Sequence, residues 1–529
     1  MTAARSVAEA VLGRLRAFGI DTVFGIPGTH NLELFRAVES LGLNLVTAHH
    51  EQGLGYAADG YARVAGRPAV LLATTGPGIT NATTALATSL SASVPVVAIA
   101  PGVPEAVHRR NVGWLHELPS QVDHLATLLP SCRAGSAAEA VEFIDQTMAR
   151  WSTGRQGPVY LELPLDILES GTGDGGGRLP QLPSPPVPAT AAVTAAAEVL
   201  RRSRRTVIVA GRGACAEPAV LTQLAEQLGA PVMTTANAKG VLDERHELAL
   251  GVALRLREGR KILREADCVL VAGTDLGSSE TWTSEPLELE TVVRIDIEEG
   301  QLQKNVPSRY PLHGEAGACL RTLSALLDDH PGQDQAWVAS LRPRLQEQIL
   351  SEGGRYAPFH EAIAEVFGGN TVVAGDSSQA TYFGTAYFWP APAPNRFLYP
   401  AGYGTLGYAV PAAIGACMAG GADNVVAVSG EGGFMFSVQE FATAARMNLR
   451  LPVVVFSNGG FNEIREGMQE RGIEPVAVQF DPPDFVQLAQ ALGGRGVEAA
   501  GLSEFREALE KAAVAAGPTL IHVPLPDSC

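Results

Sequence analysis

The sequence predicts an α/β protein made of three doubly wound parallel-sheet units in tandem. Three observations carry that expectation. Short, continuous apolar strands alternate with helix-patterned stretches along the whole chain, as they do when a parallel sheet is covered on both faces. The 529 residues leave room for about three domains at ~100–200 residues each. A stretch dense in glycine and proline, from 169 to 190, resists packing and reads as a linker.

The first unit spans residues 1–168. An amphipathic helix over 3–18 presents Val7, Val11, Leu12, Leu15 and Phe18 on one face. Strands follow at Thr22–Gly25, Asn44–Val46, Ala69–Ala73 and Val94–Ile99, and the unit closes with Val159–Pro164. The second unit, 191–330, has strands at Thr206–Ala210, Val269–Ala272 and Val292–Ile297. Residues 328–336 suggest a further boundary. The third unit, 355–529, has strands at Thr371–Ala374, Val425–Ser429, Val453–Ser457 and Thr519–Val523. The first and third units share an order of parts. Leu54-Gly55-Tyr56-Ala57 opens a small-residue helix followed by a strand and Gly76-Pro77-Gly78. Leu406-Gly407-Tyr408-Ala409 opens another, followed by Val425–Ser429 and Gly430-Glu431-Gly432. Either two ordinary units share a frequent pattern, or one architecture was duplicated.

Composition narrows the function. Hydrophobic residues make up 46% and charged residues 18%, enough apolar surface for a core. The net charge of −17 argues against nucleic acid or an anionic membrane as the main partner. A phosphate ligand stays open, because backbone N–H groups and a metal can hold one. Six scattered cysteines form no C-x-x-C pair, which fits a reducing, cytoplasmic setting rather than a zinc site or disulfide framework. Arg5, Arg14 and Arg16 interrupt any leader-like apolar run at the start, and no window approaches the ~18 apolar residues of a membrane span.

The chemistry concentrates at strand ends. Gly430-Glu431-Gly432-Gly433 follows an apolar strand and precedes a helix, where glycines let a phosphate approach the helix N-terminus. The next strand ends at Ser457-Asn458-Gly459-Gly460. A carboxylate at Glu431 and a carboxamide at Asn458 can share one hard cation, and magnesium prefers such oxygens together with phosphate oxygens.

These residues resemble the diphosphate–magnesium motif of thiamin-diphosphate-dependent enzymes, usually Gly-Asp-Gly followed by Asn-Asn. The resemblance extends over nearly the whole chain, in order. Phe24-Gly25-Ile26-Pro27-Gly28, His50-Glu51-Gln52, Ala58-Asp59-Gly60-Tyr61-Ala62-Arg63 and Thr75-Gly76-Pro77-Gly78 are similar to the pyrimidine-binding domain of the acetolactate synthase and 2-oxo acid decarboxylase group. Ala236–Gly240 and Ile295–Ile297 resemble that group's central domain, and the third unit its diphosphate-binding domain. Within the group, Gly113–Gln121, Tyr403–Tyr408, Gly460–Arg465 and Pro483-Asp484-Phe485 resemble decarboxylases acting on 5-guanidino-2-oxopentanoate.

The resemblance implies roles. Glu51 would hydrogen-bond N1′ of the cofactor's aminopyrimidine, so that the 4′ nitrogen takes the C2 proton of the thiazolium. A buried, apolar setting for that carboxyl is expected. Leu406 would be the wedge that keeps the cofactor bent. Pro27, Gly28, Thr75, Gly78 and Asn81 on the first unit would contact the cofactor. Ser377, Ser378, Gln379, Thr405, Leu406, Gly430, Gly432, Gly433 and Phe461 would do so on the third. Magnesium would be held by Glu431, Asn458 and the Gly460 carbonyl. His30 and His116 are candidates for catalysis on the substrate, with Thr29, Gln121 and Glu463 for binding it; His49 and His50 support Glu51. Because Glu51 and the diphosphate motif lie on different units, the family pattern implies a homodimer, or a dimer of dimers, with sites shared between copies.

Two departures stand out: Glu431 replaces the usual Asp, and Ser457 the first Asn. The longer Glu must retract or shift the metal, so an altered metal site is expected. Gly211-Arg212-Gly213-Ala214 lacks the full G-x-G-x-x-G spacing, so FAD is not expected there. The leading reading is decarboxylation of a polar 2-oxo acid. An acetolactate synthase-type carboligase is the alternative within the enzyme class, and a catalytically degenerate cofactor-binding protein the alternative outside it.

Overall fold

The computed structural model describes residues 6–171, 177–327 and 332–525. It contains three six-stranded sheets, and every strand pair within them is parallel. The first holds β1 (Thr22–Gly25), β2 (Asn44–Val46), β3 (Ala69–Leu72), β4 (Val96–Gly102), β5 (Ser131–Arg133) and β6 (Val159–Pro164), in the order β2-β1-β3-β4-β6-β5. The second holds β7 (Thr206–Ala210), β8 (Val232–Thr234), β9 (Ala249–Gly251), β10 (Cys268–Ala272), β11 (Val292–Asp296) and β12 (Tyr310–His313), ordered β12-β11-β10-β7-β8-β9. The third holds β13 (Thr371–Gly375), β14 (Phe397–Leu398), β15 (Asn424–Gly430), β16 (Pro452–Ser457), β17 (Arg495–Glu498) and β18 (Thr519–Pro524), ordered β14-β13-β15-β16-β18-β17.

Counted within each unit, the first and third sheets have the same strand order and the second a different one. The middle order is that of a dinucleotide-type doubly wound sheet. The likeness seen in sequence between the outer units is therefore a likeness of topology. The strands buried on both faces are the ones that read as continuous apolar runs, because helices cover both sides.

Some boundaries differ from the sequence expectation. The strand foreseen from Val94 begins at Val96, because Pro95 has no N–H to give the ladder. Ala73 lies beyond the end of β3. The first helix runs Val7–Ala17; residues 3–5 of the expected span lie outside the described residues, as do 172–176 of the linker and 328–331 of the second boundary. The helix Gln335–Gly353 beyond that boundary buries Trp337, Leu341 and Leu345 in the core of the middle unit.

The outer units are fused. One hydrophobic core runs from Leu71 and Ala98 of the first sheet to Ala427 and Val453 of the third. At its centre the helix Glu51–Ala65 packs on the helix Ala409–Ala419. Both are rich in glycine and alanine for a steric reason: a Cβ on Gly60 would lie 2.2 Å from the Ala412 carbonyl oxygen, and one on Gly415 1.9 Å from that of Ala57. A buried polar hub crosses the same contact. Asp59 accepts from Arg63 Nε (2.7 Å), from the Tyr408 hydroxyl of the third unit (2.6 Å) and from Ser89 Oγ (2.9 Å). Arg63 reaches on to Asn237 of the middle unit (2.9 Å). In that unit the Gly213 N–H donates to the Gly273 carbonyl (3.0 Å), so the Gly-Arg-Gly turn packs against its neighbour. No helix among the described residues is long and apolar enough to cross a membrane.

Candidate active site

A cavity of about 230 Å³ opens at the carboxyl ends of β13, β15 and β16, where an open parallel sheet places its ligands. All its lining residues fall between Tyr356 and Leu525, in the third unit. Every third-unit candidate named above lines it except Thr405, and no first-unit candidate does.

The centre of the cavity is a turn organised by one carboxylate. β15 ends at Gly430 and the helical turn Glu431–Met435 starts immediately. The Glu431 side chain is only 2% exposed. Its Oε1 accepts three successive backbone N–H groups beyond β16, from Asn458 (3.1 Å), Gly459 (2.8 Å) and Gly460 (2.7 Å). Oε2 takes part in none of these bonds. The extra methylene is thus accommodated by a loop that wraps the carboxylate. Gly460 sits at φ +135°, and a Cβ there would lie 2.0 Å from the Val478 carbonyl oxygen, so only glycine fits. The Asn458 amide N–H₂ donates to Gln379 (3.3 Å), which leaves the other end of that carboxamide, its oxygen, out of this bond.

Ser457, in place of the usual Asn, is tied into the sheet. Its hydroxyl meets His522 Nε2 at 2.8 Å, and His522 Nδ1 meets Glu498 at 3.1 Å. With Nδ1–H directed to the carboxylate, Nε2 is left to accept from the serine. This resembles a nucleophile–base–acid relay, but the amides just beyond Ser457 already serve Glu431 and are not available to an oxyanion.

Gln379 forms the far wall. Its carbonyl accepts from Arg355 (3.0 Å), Asn462 (3.1 Å) and Asn458, so its amide is directed to Glu463 (3.2 Å) and Glu466 (2.7 Å). Burial, reinforced by the neighbouring Glu466, raises the Glu463 pKa. Leu406 enters the cavity on a turn held by Asp376, a residue that sequence reasoning passed over. Asp376 is 1% exposed and accepts from the Gly407 N–H (3.0 Å), the Ser377 N–H (2.8 Å) and Ser429 Oγ (3.2 Å). Burial pushes its pKa up to about 6 despite these donors. The available signal was an acidic residue closing an apolar strand next to a serine pair.

The first-unit candidates form a second group at the carboxyl ends of β1, β2, β3 and β4. Glu51 is the first residue of its helix, and His50 caps that helix by accepting from the Gln52 N–H (3.1 Å). Asn81 donates to Glu51 Oε2 (3.0 Å), and a Cβ on Gly78 would stand 3.3 Å from Oε1. In the single chain Glu51 is half-buried rather than enclosed. Gln121 accepts from the Gly76 N–H (2.6 Å) and donates to the Pro101 carbonyl (2.9 Å), shaping the turn before Gly78, and Thr75 donates to the same carbonyl (3.0 Å). Gly28 donates to Asn31 (2.7 Å), while Pro27 and Thr29 are exposed. His30 and His116 meet edge to face at 5.2 Å between ring centroids, with Nδ1 of each buried and without a partner among the described residues. Partial burial, then repulsion from His116, lowers the His30 pKa.

The residues present fit thiamin diphosphate with a hard cation. The donor set of one carboxylate, one carboxamide and one backbone carbonyl is all oxygen, and Glu431 is already held in place. Among the described residues no group of three His, Cys, Asp or Glu side chains could hold a metal by itself, so a cation at Glu431 would rely on amide, carbonyl and ligand oxygens.

Comparisons with known proteins agree along the chain. The model for "Thiamine pyrophosphate enzyme, N-terminal TPP binding domain" matches residues 5–126. The corresponding central domain matches 193–323, and the C-terminal TPP binding domain 376–523. A relative from Pseudomonas aeruginosa named "Probable 2-ketoarginine decarboxylase AruI" is 35% identical over 525 residues, covering 97% of this chain and 93% of the relative. A "Probable acetolactate synthase large subunit" of Methanocaldococcus jannaschii is 29% identical over 550 residues, covering 98% and 91%. The "Acetolactate synthase isozyme 1 large subunit" of Escherichia coli is 28% identical over 542 residues, covering 98% and 93%.

Proposed function

The chain belongs to the thiamine pyrophosphate enzyme family, and from that premise we propose that it decarboxylates a polar 2-oxo acid, with 5-guanidino-2-oxopentanoate as the leading candidate. The observation that carries the substrate side is Glu463, which lines the cavity and shares the Gln379 amide with Glu466. A guanidinium group matches such carboxylates in charge and in hydrogen-bond geometry. The name of the Pseudomonas relative supports the same substrate.

When bound, thiamin diphosphate supplies an acidic carbon for attack on a ketone and an electron sink for the departing CO₂. The chain's own residues do the rest. The Glu51 carboxyl holds and returns a proton at the pyrimidine, while Asn81 fixes its Oε2. Leu406 enforces the cofactor's bent shape. Glu431, Asn458 and the Gly460 carbonyl would hold magnesium. His30 and His116 offer two Nδ1 atoms, without partners among the described residues, for the substrate carboxylate or a proton. Completion of the site by a second copy is part of this reading; its support is that Glu51 does not line the cavity holding Glu431.

An acetolactate synthase-type carboligase is the second reading, supported by the other relatives. Purified protein with thiamin diphosphate and magnesium is offered the guanidino 2-oxo acid and pyruvate separately. Faster CO₂ release from the guanidino acid with an aldehyde product is expected. Preference for pyruvate with acetolactate formation would overturn the reading in favour of the second.

A further inference from the structure

The turn that presents Leu406 is held from both sides, and one side belongs to a different unit. The third unit holds Gly407: Asp376 accepts its N–H (3.0 Å) and Ser437 Oγ donates to its carbonyl (2.6 Å). The first unit holds the residues that flank this pair. Thr88 Oγ1 lies 3.2 Å from Thr405 Oγ1. On the other flank the Tyr408 hydroxyl donates to Asp59 Oδ1 at 2.6 Å. Asp59, Thr88 and Tyr408 are all fully buried. Asp59 has little freedom of its own, since it also accepts from Arg63 Nε and Ser89 Oγ.

We propose that Asp59 and Thr88, on the first unit, are positioning residues for Leu406, setting where that side chain stands in the cavity of the same chain. This rests on the reading of Leu406 as the residue against which the cofactor bends. It goes further in assigning the first unit two duties: its Glu51 addresses a cofactor, and its Asp59, two helical turns along the same helix, fixes the turn on which another catalytic element stands. The physical reason is that a turn containing Gly404 and Gly407, both at positive φ, does not hold its own shape and needs outside anchors.

The test is Tyr408→Phe, which keeps the ring and deletes the bond to Asp59, with Thr88→Val as an independent second variant. Three quantities are measured: exchange of the C2 proton of bound thiamin diphosphate by NMR, KM for the 2-oxo acid, and the position of Leu406 in cofactor-free crystals. The expected result is exchange slowed about 10- to 100-fold with KM unchanged. Leu406 should also shift by more than ~0.5 Å, the tolerance of a preorganised site. Wild-type exchange in both variants, or an unmoved Leu406, overturns the proposal, even if the melting temperature falls. If wild-type protein exchanges no C2 proton, the cofactor reading fails. The position of Leu406 in the cofactor-free variants then still decides whether Asp59 and Thr88 set it.

Discussion

At the scale of single residues, Glu431 shows how a substitution that looks awkward in sequence is absorbed. An aspartate is one methylene shorter; here the extra reach brings Oε1 to three consecutive backbone N–H groups. The carboxylate therefore organises the loop as well as facing the cavity. Glu431→Gln keeps an acceptor for the loop but loses the charge a cation needs, so its fold stays intact while magnesium-dependent cofactor binding weakens at least about tenfold, a loss of ~1.4 kcal/mol. Glu431→Ala strands buried donors, which costs about 1–3 kcal/mol of stability, and largely abolishes cofactor binding. Cofactor titrations with and without magnesium, paired with thermal melts, separate the two effects. An alanine variant that binds as tightly as wild type, with the same metal dependence, would remove Glu431 from the metal site.

At the scale of elements, three helices set the behaviour. The Glu51–Ala65 and Ala409–Ala419 helices touch backbone to backbone, and there is no room for a methyl group at Gly60 or Gly415. Either alanine substitution should destabilise by about 1–3 kcal/mol or more, read as a shift in the urea midpoint. A midpoint equal to wild type would mean that the contact is looser than drawn. The helix Ala357–Phe367 carries the fully buried His360, whose Nδ1–H donates to the Tyr356 carbonyl (3.0 Å) while Nε2 accepts from Thr385 (2.9 Å). Burial lowers its pKa from 6.5 to about 4. The unfolded chain takes up a proton near 6.5 and the folded chain only near 4, so stability is full above the first value and falls as pH drops through the second. The loss reaches up to about 3 kcal/mol. His360→Gln cannot charge and should flatten the pH dependence of the melting temperature between 6.5 and 4; parallel curves for both proteins would count against this.

At the scale of the whole molecule, the two candidate half-sites sit on units fused by one core and tied to the middle unit through Asp59, Arg63 and Asn237. Glu51 remains half-buried in the single chain. The proposal that a second copy encloses it predicts that specific activity falls as the enzyme is diluted below its dimer dissociation constant, in step with the sedimenting dimer fraction. Full activity in a monomeric species would refute the shared site.

The α/β class, the three units and most strands were legible in the sequence because parallel strands buried on both faces must be apolar throughout. The glycine turn and the carboxylate and carboxamide at strand ends were legible because each directly follows an apolar strand run, which local pattern reports. Tertiary structure alone showed that Glu431 is wrapped by the amides of Asn458, Gly459 and Gly460, that Ser457 leans on His522, and that Gln121 shapes the Gly76 turn. It alone brought Asp376 to the Gly407 N–H and Asp59 to the Tyr408 hydroxyl beside Leu406. These are contacts between segments up to 349 positions apart, as for Asp59 and Tyr408. Periodicity and local spacing report on neighbours along a helix or strand. The partner of a buried polar group is chosen by whichever distant element the packing brings within hydrogen-bonding distance.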